Sequence, residues 1–415
     1  MVNSKTIPEG YKLTDVGVIP KDWSVRSFGE IFTFLSTGSN SRSDLSQSGD
    51  IKYIHYGDIH TKWRNILDCK KDTLPYISSE KVKNLPFIEE GDLVLADASE
   101  DYENIGISVE VINVGDDRIV AGLHTILLRG DKDIVTDGFK GYLHSINTVK
   151  SSLRRISTGI SVYGISKKNL ADVLIPLPTL PEQKEIAKHL SDIKTLIETL
   201  EELLEKKNNI KQGIMQELLS GKKRLKGFTK DWEDGILGDY VTIRSGESPS
   251  KFKFNNNGIP YYKVEQLNNS GKYQVETPYF IECNNAIPKG SIIFPKRGAS
   301  ILLNKVRILS KDSYMDTNLM TLTTNKELNN EFLYYFIKFI ELWRIADTTS
   351  IPQINNKHIL PLKIKVPPLL EQVKIAQILS DMDSEIIFLK KRLEKYKAVE
   401  AGVMHDLLNG KVRLV

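Results

Sequence analysis

EQKEIAKHLSDIKTLIETLEELLEKK at 182–207 and EQVKIAQILSDMDSEIIFLKKRLEKY at 371–396 are one segment written twice. The offset is 189 positions and holds without a gap from 182–225 to 371–414, with 20 identities in 44 positions. Shared leucines alone could come from helical periodicity. Glu182-Gln183 against Glu371-Gln372, Ser191-Asp192 against Ser380-Asp381, and Gly221-Lys222-x-Arg224-Leu225 against Gly410-Lys411-x-Arg413-Leu414 could not. The chain is an internal duplication, and a duplicated chain suits a target that is itself two-part.

Within each copy the apolar residues step by fours and threes. The first copy gives Ile186, Leu190, Ile193, Ile197, Leu200 and Leu204, and the second Ile375, Leu379, Met382, Ile386, Leu389 and Leu393, continuing to Tyr396. That rhythm predicts a coiled-coil seam, so these residues are expected to pair the two helices. Thr179 and Glu182 have capping-box spacing with Pro181 in the first turn, whereas the second copy has Pro368 in place of Thr179. Gly221 and Gly410 are the expected stops. A helix from Pro181 to Ser220 would rise roughly 60 Å at about 1.5 Å per residue. The middle of the first copy is acidic (Glu198, Glu201, Glu202, Glu205) and that of the second basic (Lys390, Lys391, Arg392, Lys395). Antiparallel pairing about a pseudo-dyad would bring these stretches face to face and favour pairing within the chain.

The rest is duplicated more loosely. Lys21-Asp22-Trp23 recurs as Lys230-Asp231-Trp232, each followed at equal distance by Gly29 and Gly238. Ile51-x-Tyr53 matches Ile259-x-Tyr261, and Ile88-x-x-Gly91 matches Ile287-x-x-Gly290. Ser161-Val162 with Ile165 matches Ser350-Ile351 with Ile354 at the helical offset, and Tyr163 and Gln353 take equivalent places before the helices. The layout expected is an N-terminal arm (1–22), a globular domain (23–178), a helix (179–221), a second domain (222–366) and a second helix (367–411). Runs such as Arg118-Ile119-Val120 and Ala299 to Ile308 read as strands, and Glu331 to Ile345 and Phe139 to Leu153 as helices. Turns are expected at Gly49-Asp50, Gly115-Asp116 and Asn255 to Gly258. The fold class is α+β: two globular domains with twisted β-sheets, separated by two long helices pairing as an antiparallel coiled coil.

The chain has 415 residues, enough for more than one core, with 40% hydrophobic and 27% charged residues, ordinary for a soluble globular protein. The net charge of +4 permits nucleic acid without demanding it. No apolar run is long enough to span a bilayer, and Met1 to Gly10 lacks a signal-peptide core, so no membrane is expected. Cys69 and Cys283 lie in different halves, and a reducing cytoplasm is the expected setting.

Catalytic motifs are missing from the sequence. There is no phosphate-cradling Gly-x-x-x-x-Gly-Lys-Ser/Thr, no Gly-x-Gly-x-x-Gly after a strand, and no Asn/Asp-Pro-Pro-Tyr of an amino-methylating enzyme. His55 and His60 beside Asp58 read as a polar recognition loop more than a metal site. Asp97, Glu100, Asp101 and Glu103 form an acidic loop, but the second half has Pro295-Lys296-Arg297-Gly298 there. Glu205-x-Lys207 lies on the coiled coil. No residue is assigned to catalysis or to a metal.

Ile175 to Gln183 (IPLPTLPEQ), its copy Val366 to Gln372 (VPPLLEQ), Ile19-Pro20-Lys21-Asp22-Trp23, Gly91-Asp92-Leu93 to Gly106, and Gly122-Leu123-His124-Thr125 together resemble the DNA-specificity subunit of type I restriction-modification systems. The resemblance runs through nearly the whole chain, in order and at both copies. It implies two target recognition domains held apart by paired helical spacers, reading a two-part double-stranded DNA site with a fixed gap. It also implies two methyltransferase subunits docked on the helices and two restriction/translocase subunits joining them. S-adenosylmethionine, ATP and magnesium would then belong to those partners, and none to this chain.

A stiff ruler rejects wrong gaps, because each base pair added rotates one half-site by about 34–36°. Mismatches cost roughly 1–3 kcal/mol each, so two short half-sites discriminate where one would not. The DNA-contacting candidates are Arg42, Lys62, Arg64, His124, Arg154, Arg155 and Tyr163 in the first domain. In the second they are Arg244, Lys251, Lys253, Lys263, Gln266, Lys296, Arg297, Lys305 and Gln353, all of types that bind phosphates and base edges. Three other readings compete: a fused methyltransferase or nuclease, against which the missing cofactor and catalytic motifs count; a coiled-coil scaffold that does not read DNA, against which divergent polar loops on a common scaffold count; and the specificity chain of a related restriction class.

Overall fold

The computed structural model describes residues 7–268, 271–348 and 351–414. Ser350, one of the expected repeat matches, and residues 1–6 of the arm lie outside them. The chain forms two compact units, Met1–Thr199 with Leu393–Val415, and Leu200–Arg392. Each unit therefore takes half of both repeated helices, which run Leu180–Leu219 and Leu369–Leu408.

The first unit is built on a sheet of β1 (Phe32–Leu35), β2 (Asn65–Asp68), β3 (Leu93–Ala96), β4 (Ser108–Ile112) and β5 (Thr125–Gly130). The strand order is β1-β5-β3-β4-β2, antiparallel except for β4 with β2. The second unit repeats this with β6 (Val241–Ser245), β7 (Tyr273–Gln274), β8 (Ile292–Pro295), β9 (Arg307–Leu309) and β10 (Leu319–Thr324). Its order, β6-β10-β8-β9-β7, again has only the last pair parallel. Each unit adds a three-stranded sheet centred on Ile51–Ile54 or Ile259–Tyr262, with one parallel and one antiparallel neighbour. The duplication thus extends to the topology of both larger sheets, although the loops share no sequence.

Successive side chains of a strand face opposite ways, and both faces of each main sheet are covered. Leu93 and Leu95 of β3 pack with Ile126 and Leu128, the Asn147–Ile156 helix and the repeat-helix residues Ile186, Leu190, Leu407 and Leu408. Val94 and Ala96 pack on the other face with Ile54, Ile59 and Trp63. In the second unit Ile292 and Phe294 face Phe332, Leu218, Leu219, Ile375 and Leu379, while Ile293 faces Tyr262 and Leu267. The seam residues at the helix ends so serve two purposes, pairing helix with helix and seating the sheet.

The helices pair antiparallel. In the second unit Lys207 reaches Glu385 at 2.6 Å and Lys211 reaches Asp383, so the partner's number falls as the first rises. All twelve seam residues named above are buried or half-buried. These two ion pairs put base on the first helix and acid on the second, opposite to the polarity expected in the middle. Of the acidic stretch, Glu198 is met by Lys71 and Lys194 of its own unit, because the sheet domain leans on that flank.

The start of the first helix departs from expectation. Gln183 N–H bonds to the Thr179 carbonyl, but Glu182 does not close a capping box. Its carboxylate is fully buried and accepts the Trp23 indole N–H at 2.8 Å and the Arg413 guanidinium at 2.6 and 2.8 Å. Glu371 does the same with Trp232 at 3.1 Å and Arg224 at 2.8 and 2.9 Å. A buried charge needs full pairing, and that demand outweighs one cap. The neighbouring glutamines repeat too: Gln183 bonds Thr136 N–H and the Ile134 and Pro178 carbonyls, and Gln372 bonds Asn329 N–H and the Glu327 and Pro367 carbonyls.

Other expectations are corrected locally. Ala299 to Ile308 is no single strand: a 3-10 turn at Ala299–Ile301 precedes β9, since Asn304 takes a positive φ and its side chain bonds the Lys338 carbonyl and Leu342 N–H. Glu331 to Ile345 breaks at Glu341, whose φ is 57°, into Asn330–Ile340 and Leu342–Ile345. Phe139 to Leu153 divides into a 3-10 segment, Lys140–Ser145, and the helix Asn147–Ile156.

Candidate nucleic-acid interface

The end of β3 and the start of β5 gather polar residues in the first unit. Asp97 follows β3 and His124 precedes β5, with the His124 Nδ1 at 3.4 Å from the Asp97 carboxylate. The Tyr56 ring lies 5.2 Å from His124, 4.7 Å from His55 and 6.3 Å from His60 between centroids. His60 Nε2 sits 3.0 Å from the Ala98 carbonyl. Burial pushes the Asp97 carboxyl up, against the pull of His124. Burial, and then the Arg42 charge, hold His55 below the usual imidazole range. His55 Nδ1 accepts from Gly57 N–H at 3.1 Å.

Arg42 and Lys62 meet on one buried carboxylate. Both approach Asp58 Oδ1, at 3.1 and 2.9 Å, while their own side chains remain about half exposed. Two cations on one anion leave a net positive charge whose heads are held in place, the arrangement that suits phosphate. The proposed metal alternative for His55, His60 and Asp58 finds these groups already engaged with Arg42, Lys62 and a backbone carbonyl.

The equivalent corner of the second unit has other chemistry. Backbone bonds identify it: Asp97 N–H to the His124 carbonyl in the first unit corresponds to Lys296 N–H to the Asn318 carbonyl in the second. Lys296 donates to Ser245 Oγ at 2.9 Å, and burial lowers its affinity for the proton. Lys263 lies over the Tyr279 ring at 3.6 Å and the Phe254 ring at 5.6 Å, within an aromatic group that includes Phe252, Tyr261 and Tyr314. Arg244 stacks over Tyr314 and donates to the Ala286 and Asn285 carbonyls. One scaffold thus presents a His-rich surface once and a Lys-aromatic surface once.

The remaining candidates divide by engagement. Arg155, Lys253 and Arg297 are exposed. Lys251 pairs with Glu247 at 3.2 Å, Lys305 with Asn268, and Arg154 with Glu103. Gln266 caps its own turn through Lys263 N–H. Arg64 lies near Glu400 on the second repeat helix, away from the histidines. Tyr163 packs on Tyr102, and its expected equivalence to Gln353 is off by one residue. Ile165 N–H to the Asp97 carbonyl and Ile354 N–H to the Lys296 carbonyl show that Gly164 matches Gln353 and Tyr163 matches Pro352. The aromatic group around Lys263 carries no sequence signal, because its rings come from strands and loops far apart in the chain, from Phe252 to Tyr314.

A duplicated sheet scaffold with paired repeat helices carries a different polar corner in each unit. The family profile described as "Type I restriction modification DNA specificity domain" matches residues 20–212 and again 229–398, and the chain belongs to that family. It is 27% identical over 428 residues to the provisionally named type I restriction enzyme MjaX specificity subunit of Methanocaldococcus jannaschii, covering 98% of this chain and 97% of that one. The MjaVIII specificity subunit of the same organism is 27% identical over 364 residues, covering 76% and 85%. Among solved structures, the S subunit from M. genitalium matches with a TM-score of 0.56 at 17% identity, over 95% of this chain and 97% of that one. The HsdS subunit from Thermoanaerobacter tengcongensis gives 0.52 at 17% identity, over 95% and 98%. These structural matches establish the shared fold.

Proposed function

We propose that the two domains each read one half of a two-part DNA site with a fixed gap, and that this chain directs partner methyltransferase and endonuclease subunits there. The observation that carries the reading is the pair of sheet scaffolds with identical strand order and unlike polar corners. Different corners on one scaffold are what reading two different half-sites requires. The chain itself performs no chemistry in this reading. S-adenosylmethionine, ATP and magnesium belong on the partners, two methyltransferase and two restriction/translocase subunits. The setting is the cytoplasm; among the described residues no helix is long and apolar enough to cross a membrane.

The test is co-expression with a methyltransferase subunit of the same system, followed by mapping of methylated adenines across a genome. A two-part motif with a constant gap is the expected result. An assembled complex that leaves no such motif would overturn the proposal.

A further inference from the structure

One backbone position carries opposite charges in the two units. Asp97 directly follows β3, and Lys296 directly follows β8. Each donates its N–H to the residue before the last strand of its main sheet, to the His124 carbonyl at 3.1 Å and to the Asn318 carbonyl at 2.8 Å. Each carbonyl accepts from the equivalent isoleucine, Ile165 or Ile354, at 2.8 Å. The main chain at this corner is pinned on both sides in the same way, and the head group differs.

Neither head group is used up by the fold. Asp97 meets His124 Nδ1 at 3.4 Å, and its side chain stays 29% exposed. Lys296 gives one proton to Ser245 Oγ at 2.9 Å and forms no ion pair among the described residues. Burial nevertheless presses on both, raising the Asp97 carboxyl and lowering the Lys296 ammonium. A partly desolvated charge with spare hydrogen-bonding capacity costs free energy that the fold alone does not recover.

The surroundings point to what completes them. In the first unit a chain of contacts leads from Asp97 to the half-exposed Arg42. Asp97 lies 3.4 Å from His124, and the His124 and Tyr56 rings are 5.2 Å apart. Tyr56 lies 4.7 Å from His55, whose Nδ1 is 3.4 Å from Arg42. A carboxylate on a surface that grips phosphate is repelled by the DNA backbone unless a base amino group meets it. In the major groove cytosine shows the N4 amino donor alone, whereas adenine sets an N7 acceptor beside its amino group, so a carboxylate favours cytosine. Guanine shows two acceptors, O6 and N7, which suit an ammonium with two protons left to give.

We infer that Asp97 and Lys296 are one base-reading position used twice, Asp97 accepting from cytosine N4 at one half-site and Lys296 donating to guanine O6 and N7 at the other. The inference rests on the proposed function, in which each domain reads one half-site. It adds which residues select a base and which base each selects.

The test uses the full chain in complex with its methyltransferase, with methylated adenines mapped for Asp97→Ala, Asp97→Asn and Lys296→Met. The wild-type complex first has to give a two-part motif, which checks the specificity reading by itself, so the two can fail independently. The expected result for Asp97→Ala and Lys296→Met is that one G·C pair loses its preference by roughly tenfold or more, in a different half-site for each. The gap and the other half-site stay as they were. Asp97→Asn, which keeps the shape and adds a donor, moves the preference from cytosine towards adenine. A motif unchanged in Asp97→Ala and Lys296→Met overturns the inference, as does relaxation at an A·T pair or in both half-sites together. Where a variant complex assembles but no longer methylates, duplex binding is read instead. Discrimination then has to fall at that G·C pair, and a uniform loss over all sequences, the mark of a structural role, overturns the inference.

Discussion

Arg413 donates from the end of the chain to the fully buried Glu182, 231 positions earlier, through Nε at 2.6 Å and a terminal nitrogen at 2.8 Å. The other terminal nitrogen reaches Asp22 at 3.0 Å. These hydrogen bonds hold Arg413 firmly protonated and pull Asp22 below the usual carboxylate range. The first sheet domain is therefore closed by the last residues of the sequence.

Glu182→Ala leaves the Trp23 indole and Arg413 without their shared acceptor. Breaking a buried pair costs about 3–5 kcal/mol, and the partial exposure of Arg413 brings the expectation to about 2–3 kcal/mol. Urea unfolding of the full chain checks this, and a midpoint unchanged from wild type would show that the triad contributes nothing.

Acid should weaken the first unit through His144. Burial, then Lys150, lowers its pKa from 6.5 to about 4, and its Nδ1 lies 3.0 Å from Ser108 Oγ. Between those values the unfolded chain binds a proton that the folded one refuses, so stability falls as pH drops from about 6.5 towards 4 and is retained above. At about 1.4 kcal/mol per pH unit the loss reaches roughly 3 kcal/mol. His144→Gln should flatten that slope in urea titrations at successive pH values.

Gly122 has no room for a methyl group: a Cβ would stand 2.1 Å from the Tyr53 ring. The Tyr53 hydroxyl is itself fixed, accepting from Leu123 N–H at 2.8 Å and donating to the Asn40 carbonyl at 2.9 Å. Gly122→Ala should cost about 1–3 kcal/mol through overpacking. It should also displace the adjacent His124 and weaken DNA binding, readable by thermal melting and by titration with site-containing duplex.

Arg42→Ala with Lys62→Ala should weaken binding to all sequences and lower the salt slope by roughly 2, about 0.9 for each phosphate no longer neutralised. Arg154→Ala should change the slope little, since Glu103 already holds that side chain. Equal slopes for the double variant and wild type would remove Arg42 and Lys62 from the interface.

The legible part of the molecule was its repetition. The 189-residue offset located both helices and the anchors that match between domains, and the seam residues Ile186 to Leu204 and Ile375 to Leu393 are buried or half-buried as their spacing requires. Those features are local or periodic, and periodicity can be counted along a chain. Lys-Asp-Trp and Gly-Lys-x-Arg-Leu were visible as repeats, but not as two ends of one hydrogen-bonded triad, because nothing local marks a partner 159 or 231 residues away.

The sequence by itself thus determined that the protein is a duplicated pair of globular domains with coiled-coil helices, since helical period and self-similarity can be read without knowing which side chains meet. Tertiary structure alone decided that Glu182 caps no helix, that Arg42 and Lys62 share Asp58, and that Lys263 sits over Tyr279. The reason is physical: a buried charge is satisfied by whichever donors packing brings within about 3 Å, and packing is settled by the whole chain.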